Sequence, residues 1–443
     1  MPKNDSYGLA VSSSGAAFKA WRKGFQASLS FDASGIPELS QAVELDPNFA
    51  LAHAMLARQQ VIHGMRQLGH QSLATALQLL THTNARETSQ IEITANAMRN
   101  EASALPLALE HLTQWPLDVF VFGQIVGPFG LFAFSGRQDW QQECLNLLEQ
   151  YSKKFPSDDW WFLSSQAFAL AETGNLQIAE RVAEQAWEIA HNGTCAHSLS
   201  HVHFEQCALH EGIAFIDHWI TKHEGARSDM RHHLMWHQAL FNMELGNTSS
   251  KSMTQLYLQE LDPKVSDPLP LSTYSDNASL LWHCALNEFS MPQQFHQTTH
   301  AYGQQHFAQP GFPFADMHTI VITALLEDDQ LIEQLTLNLE QIEDQNNRRL
   351  LSTLLAGVSA FVKGKYSESA ETLKTILVDS ICLGGSNPQR RIVEETYLQA
   401  CLRANKKDAA ISVLCQRLQS RASPFDSRLL ERLEIANTAG DST

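Results

Sequence analysis

The sequence predicts an all-α protein, a helical-repeat solenoid of stacked antiparallel helix pairs. Three observations carry that prediction. Apolar residues recur three and four places apart along most of the 443 residues, and strictly alternating β-branched runs are almost missing. Small residues return at the offsets of a repeat of about 34 residues. Turn dipeptides such as Gly-Asn and Asp-Pro fall between the helical stretches.

The clearest unit begins at Trp160. Counting it as position 1 puts Ala167, Leu170, Gly174, Ala179 and Ala186 at 8, 11, 15, 20 and 27. These are the places where a tetratricopeptide-like helix pair needs small residues at its contact and a break at its turn. Ala183 stands at 24, where an aromatic is usual, and no proline closes the unit. Ala42 and Pro47 close an earlier unit, and counting from Ala50 puts Leu56, Ala57 and Gly64 at 7, 8 and 15. Ala239, Gly246 and Pro263 keep the spacing near the centre, as do Gly357 and Gly364 further on. Pro116 and Pro156 are exit prolines 40 residues apart, so repeat length varies. The expected organisation is one array over residues 16–435 with a concave inner surface, between flexible ends at 1–15 and 436–443. Residues 262–276, with three prolines, and 308–316 are expected to be loops.

Charge and cysteine usage narrow the function. The net charge of -17 argues against a nucleic-acid backbone or an anionic membrane as partner. Seven cysteines with no C-x-x-C spacing suggest reduced thiols and a cytoplasmic location. The N-terminus has no apolar run after its one lysine, so it does not resemble a secretory signal. The longest apolar stretch, 119–134, is too short to span a bilayer and is broken by Gln124 and Pro128, so a buried helix and turn is expected there.

Histidine is concentrated in one stretch. Ten of the 20 histidines lie between His191 and His237, against about two for an even spread. His197/His201 and His233/His237 are each four apart, which on a helix puts both imidazoles on one face. Such pairs can chelate a divalent transition metal. The same register places His201 near position 8, where a buried, hydrogen-bonded core histidine is the other reading. Glu205 and Asp316 are candidate ligands or groups that orient an imidazole, and His203 and His318 are further candidates. Trp236, inside the second pair, could wall a pocket. No H-E-x-x-H or Gly-x-Ser-x-Gly occurs. Cys195 and Cys207 lie near histidines in sequence without forming a recognisable nucleophile motif.

A second motif runs from Leu383 to Arg391. Gly384-Gly385 permits a tight turn, Asn387 suits an N-cap and Pro388 the first helical position. Gly385, Ser386, Asn387 and Arg390 are candidate anion-binding residues at the helix start, although no Walker lysine follows.

These segments occur in an order that resembles the tetratricopeptide repeat protein 38 family. The likeness is carried by His197-Ser-Leu-Ser-His201-Val-His203, by His233-Leu-Met-Trp236-His237-Gln-Ala239-Leu240, by Asp316-Met-His318 and by Leu383-Gly-Gly-Ser-Asn387-Pro-Gln-Arg390. Asp46-Pro47-Asn-Phe-Ala-Leu-Ala-His53-Ala-Met55 extends it towards the N-terminus. Glu205 stands one place later than the acidic residue of those relatives, His203 where they carry tyrosine, and Pro388 where they carry alanine. The resemblance implies an all-helical intracellular protein with a shared pocket, and no settled reaction or cofactor. Two functions are therefore expected to compete. One is a binding scaffold that takes a protein or peptide partner in its groove. The other is a metal-dependent or acid–base enzyme acting on a small molecule through the histidine pocket.

Overall fold

The computed structural model describes residues 3–222, 228–265 and 269–440. Helices account for most of it, and the one sheet among the described residues has two short strands. The unit counted from Trp160 forms as its register requires. Asp159 opens helix Trp160–Glu172 by accepting the Phe162 N–H at 2.7 Å. Gly174 then turns the chain at φ +81°, a left-handed conformation that costs a side chain strain, and Leu176–Ile189 folds back. Ala167, Ala179, Ala183 and Ala186 are all nearly fully buried. Their small volume lets the two backbones approach, and a larger side chain there would overpack by about 1–3 kcal/mol. Ala50–Ile62 with Arg66–Gln78 and Gln345–Val362 with Tyr366–Lys374 repeat the arrangement. In the latter, a Cβ on Gly357 would sit 2.5 Å from Leu373 Cδ2.

The chain divides into two compact units where the sequence suggested one continuous array. The first comprises Met1–Val202, Asp217–Arg231 and Pro268–Pro270, and the second His203–Ile216, His232–Asp267 and Leu271–Thr443. In the first, the N-terminal residues are tied down and not loose as expected. Lys3–Asn4 pairs antiparallel with Ala10–Val11. The Ser12 N–H donates to Glu87 Oε1 at 2.8 Å, and Arg86 Nη2 donates to Ala10 O at 2.8 Å. Arg86 also pairs with Asp118 at 2.9 Å, whose carboxylate accepts from His111 Nε2 at 3.1 Å. Residues 119–134 form the short helix Val119–Ile125 and turns, with Phe122 packed edge-on against Tyr151, Phe155, Trp161 and Phe162.

The second unit corrects both expected loops. Helix Pro270–Leu286 begins well inside 262–276, because a proline at the first helical position has no N–H to lose. Residues 266–268 of that stretch lie outside the described residues. Helix Pro313–Ala324 starts inside 308–316 for the same reason. Helix Asn387–Arg403 packs against Tyr366–Lys374. Trp282 Nε1 donates to Thr396 Oγ1 at 2.8 Å, which satisfies a fully buried indole. At the C-terminus, helix Pro424–Gly440 takes up part of the stretch expected to be loose, and residues 441–443 lie outside the described residues. No helix among the described residues is long and apolar enough to cross a membrane.

Candidate functional site

The histidine-rich stretch separates by environment. His191 packs on Trp187 and His203 on Phe215, while His210 and His218 are exposed. His232 is buried, and desolvation pushes its imidazole down to about 4, which keeps it neutral. His223 lies outside the described residues. What remains is the two i, i+4 pairs, each backed by a buried carboxylate.

The first pair lies on helix Gly193–Glu205, which starts where Asn192 Oδ1 accepts the Cys195 N–H at 3.1 Å. Spacing by four places His197 and His201 one turn apart, with their Nε2 atoms 3.1 Å apart. His201 is fully buried and its Nδ1 lies 3.3 Å from Glu172 Oε1 at the end of helix Trp160–Glu172. Gln141 Nε2 donates to the other oxygen of Glu172 at 2.9 Å. The Phe168 ring stacks on His197 and meets His201 edge-on.

The second pair lies on helix Arg231–Leu245. His233 Nδ1 donates to Asp276, 2.9 Å from Oδ2 and 3.1 Å from Oδ1. Asp276 is fully buried on helix Pro270–Leu286. Trp236 stacks on His233 at 5.2 Å and packs edge-on to His237 at 4.9 Å, so it walls both imidazoles. A carboxylate only accepts, so the proton of His233 sits on Nδ1 and the lone pair on Nε2. The approach of Glu172 to His201 Nδ1 favours the same tautomer. Holding Nδ1 with a carboxylate is how proteins fix an imidazole as a ligand. Two nitrogens of a tetrahedral zinc ion at 2.0–2.1 Å would lie roughly 3.4 Å apart, close to the Nε2 separation of the first pair.

The other sequence candidates take different places. Asp316 does not orient a histidine. Its Oδ2 accepts the Gly311 N–H at 2.9 Å and so pins its own loop, and burial pushes its carboxyl up to about 7. His318 Nδ1 donates to Phe314 O at 2.7 Å. Burial pushes its imidazole down to about 4, with the fields of Asp276 and His283 acting on it. The Glu205 carboxylate acts on Arg391 and Cys207, raising the pKa of each. The glycine turn is a packing device. Gly385 has φ +79°, and a Cβ there would overlap the Phe314 ring, which in turn meets His318 edge-on at 4.7 Å. Ser386, not Asn387, caps helix Asn387–Arg403, in a capping box with Gln389. Pro388 therefore stands at the second helical position. Arg390 donates to Gly385 O and to Asn387 Oδ1, so its guanidinium holds the turn together. Burial pushes the Cys195 thiol up to about 12 and that of Cys207 up to about 11, which disfavours their thiolates.

Glu172 and Asp276 escaped the sequence reading. Asp276 stood in a proline-rich stretch assigned to a loop, and Glu172 is one ordinary acidic residue at a helix end. No protein-family profile matches the chain. Among solved structures, the chain is similar to human IFIT1 in a dimer with m7Gppp-AAAA, at 13% identity, covering 93% of this chain and 97% of that one with a TM-score of 0.42. It is also similar to yeast Tom70, at 13% identity, covering 95% and 96% with a TM-score of 0.32. These scores are low, and the helical-repeat architecture rests on the helix pairs of the chain itself.

Proposed function

We propose that this chain is a helical-repeat binding protein whose two histidine pairs, His197/His201 in the first unit and His233/His237 in the second, each hold a divalent transition metal. The observation that carries the reading is the carboxylate behind each pair: Glu172 at His201 Nδ1 and Asp276 at His233 Nδ1. Core histidines need no such device twice, each time one turn from a second imidazole. An all-imidazole set suits zinc, copper, nickel or iron and is a poor match for magnesium or calcium. The resemblance to the tetratricopeptide repeat protein 38 family supports treating each pair as a working set. The stack of helix pairs supports a scaffold for a protein or peptide partner, and the charge of -17 disfavours nucleic acid. An acid–base enzyme has less support, because Asp316 is occupied by its own loop.

The test is elemental analysis of protein purified without a histidine tag. A stoichiometric transition metal is expected. Its content should fall to about half in His201→Ala and in His233→Ala, one pair being lost in each, and chelation should lower the melting temperature of the wild type. Protein that carries only trace or alkaline-earth metal after reconstitution with zinc, copper and nickel would sink the proposal.

A further inference from the structure

The hairpin at residues 3–13 meets the rest of the first unit as a bound peptide would. It builds its own turn. Asp5 Oδ1 accepts the Tyr7 and Leu9 N–H groups, each at 2.9 Å, and Gly8 takes φ +78°. Strands Lys3–Asn4 and Ala10–Val11 close it. Its joint to helix Gly15–Ser30 is Gly15 itself, at φ +64° with open space where a Cβ would stand.

Different groups of the unit read each side of the hairpin. The Tyr7 ring meets Phe25 and Phe155 edge-on at 6.4 and 6.3 Å, and its hydroxyl donates to Asp159. Asp5 Oδ2 stands 3.8 Å from Arg86 Nη1. Ala10 O accepts from Arg86 Nη2 at 2.8 Å and from Asn84 Nδ2 at 3.2 Å, and Glu87 accepts the Ser12 N–H. Val11, only 1% exposed, anchors the second strand. Peptide recognition uses the same division, with backbone groups setting register and side-chain pockets setting identity.

The reading groups are each fixed without the hairpin. Arg86 has Asp118 at 2.9 Å, Glu87 has its capping box with Asn84, and Asp159 accepts the Phe162 N–H at 2.7 Å. A groove whose side chains are held by partners behind them needs little reordering to take a ligand.

We infer that this groove of the first unit docks a partner protein presenting a tight turn with an aspartate two residues before a tyrosine, and that residues 3–13 occupy it as an internal competitor. The inference rests on the reading of the chain as a scaffold for a peptide partner, and it names the groove and the peptide. Arg86 takes the acidic side chain, Asp159 the phenol, and Phe25 with Phe155 its ring. None of these is a paired histidine, so loss of docking and loss of metal are separate results.

Fluorescence anisotropy on the full chain tests this, with a labelled, N-acetylated peptide of residues 3–14 as the probe. Asp5→Ala/Tyr7→Ala releases the internal hairpin and leaves every groove residue in place. An isolated two-stranded hairpin is marginal in water, so a dissociation constant of about 100 μM is expected for the released chain. The wild type should bind at least about tenfold more weakly, because a tethered competitor acts at roughly millimolar concentration. Peptides carrying Asp5→Asn or Tyr7→Phe should each bind the released chain several times more weakly. Circular dichroism checks the fold of the released chain. If the double variant misfolds, Tyr7→Ala alone, which keeps the Asp5 turn, takes its place. No binding to a folded released chain, equal binding by wild type and released chain, or indifference to both peptide changes would each overturn the inference. Elemental analysis of the same samples reports on the histidine pairs independently.

Discussion

The two histidine pairs follow one plan with different parts. Each is an H-x-x-x-H on a helix, with a buried carboxylate facing one imidazole at Nδ1, hydrogen-bonded to it in the second pair and only within ion-pair distance in the first, and an aromatic ring packed on the pair. The sources differ. In the first unit the carboxylate is Glu172, at the end of the helix two before, and the ring is Phe168 from the same helix. In the second unit the carboxylate is Asp276, 43 residues further along the chain, and the ring is Trp236 from within the pair. The contacts also differ in quality. Asp276 meets His233 with both oxygens within hydrogen-bond distance, whereas Glu172 stands 3.3 Å from His201 and divides its charge with Gln141.

That asymmetry can be broken experimentally. Asp276→Asn should weaken metal affinity about 100-fold and Glu172→Gln about 10-fold, the range expected when a residue behind a ligand is lost. Competition with a chromophoric chelator measures both, and an equal or reversed order would remove the distinction between the pairs. The glycines give the next contrast. Gly385→Ala in the second unit combines a left-handed backbone with overlap on Phe314 and should cost about 2–3 kcal/mol in urea unfolding. Gly174→Ala in the first unit has the same handedness with open space around it and should cost about 1 kcal/mol. The smallest effect concerns pH. Burial raises Asp316 to about 7, against the Gly311 and Phe312 N–H groups that lower it. The folded chain therefore binds a proton that the unfolded chain has already lost, so the associated stability is full below about 3.8 and disappears as pH rises through 7. Asp316→Asn cannot ionise. Its melting temperature should stay level between pH 6 and 8.5 while that of the wild type falls by about 3 °C. Parallel profiles would mean that Asp316 does not titrate in that window.

The repeat fold was legible because its signals are local. Gly174 at a turn and Ala167, Ala179 and Ala186 at a helix contact are fixed by one helix pair and need no knowledge of distant residues. The H-x-x-x-H pairs were legible for the same reason. Their carboxylates were not, because the partner of His233 comes from another helix and nothing in the pattern around Asp276 marks it. The prolines misled in a specific way. Pro270 and Pro313 read locally as helix breakers, yet at a helix start each fits without losing a hydrogen bond. The Leu383–Arg391 motif was recognised as a capped turn, but its purpose was not. Gly385 serves the Phe314 ring, and through it His318, which no local rule could reveal. The ion pair of His283 with Glu395, 112 residues apart, left no trace in sequence.

The stacking of Trp236 on His233 also has an optical consequence. The two rings are nearly parallel at 17° in a fully buried site. Indole emission responds to the charge and electron demand of a ring it stacks on, so the second pair carries its own chromophore. Any event that changes the electronic state of His233 is written into the ultraviolet spectrum of the protein without an added label.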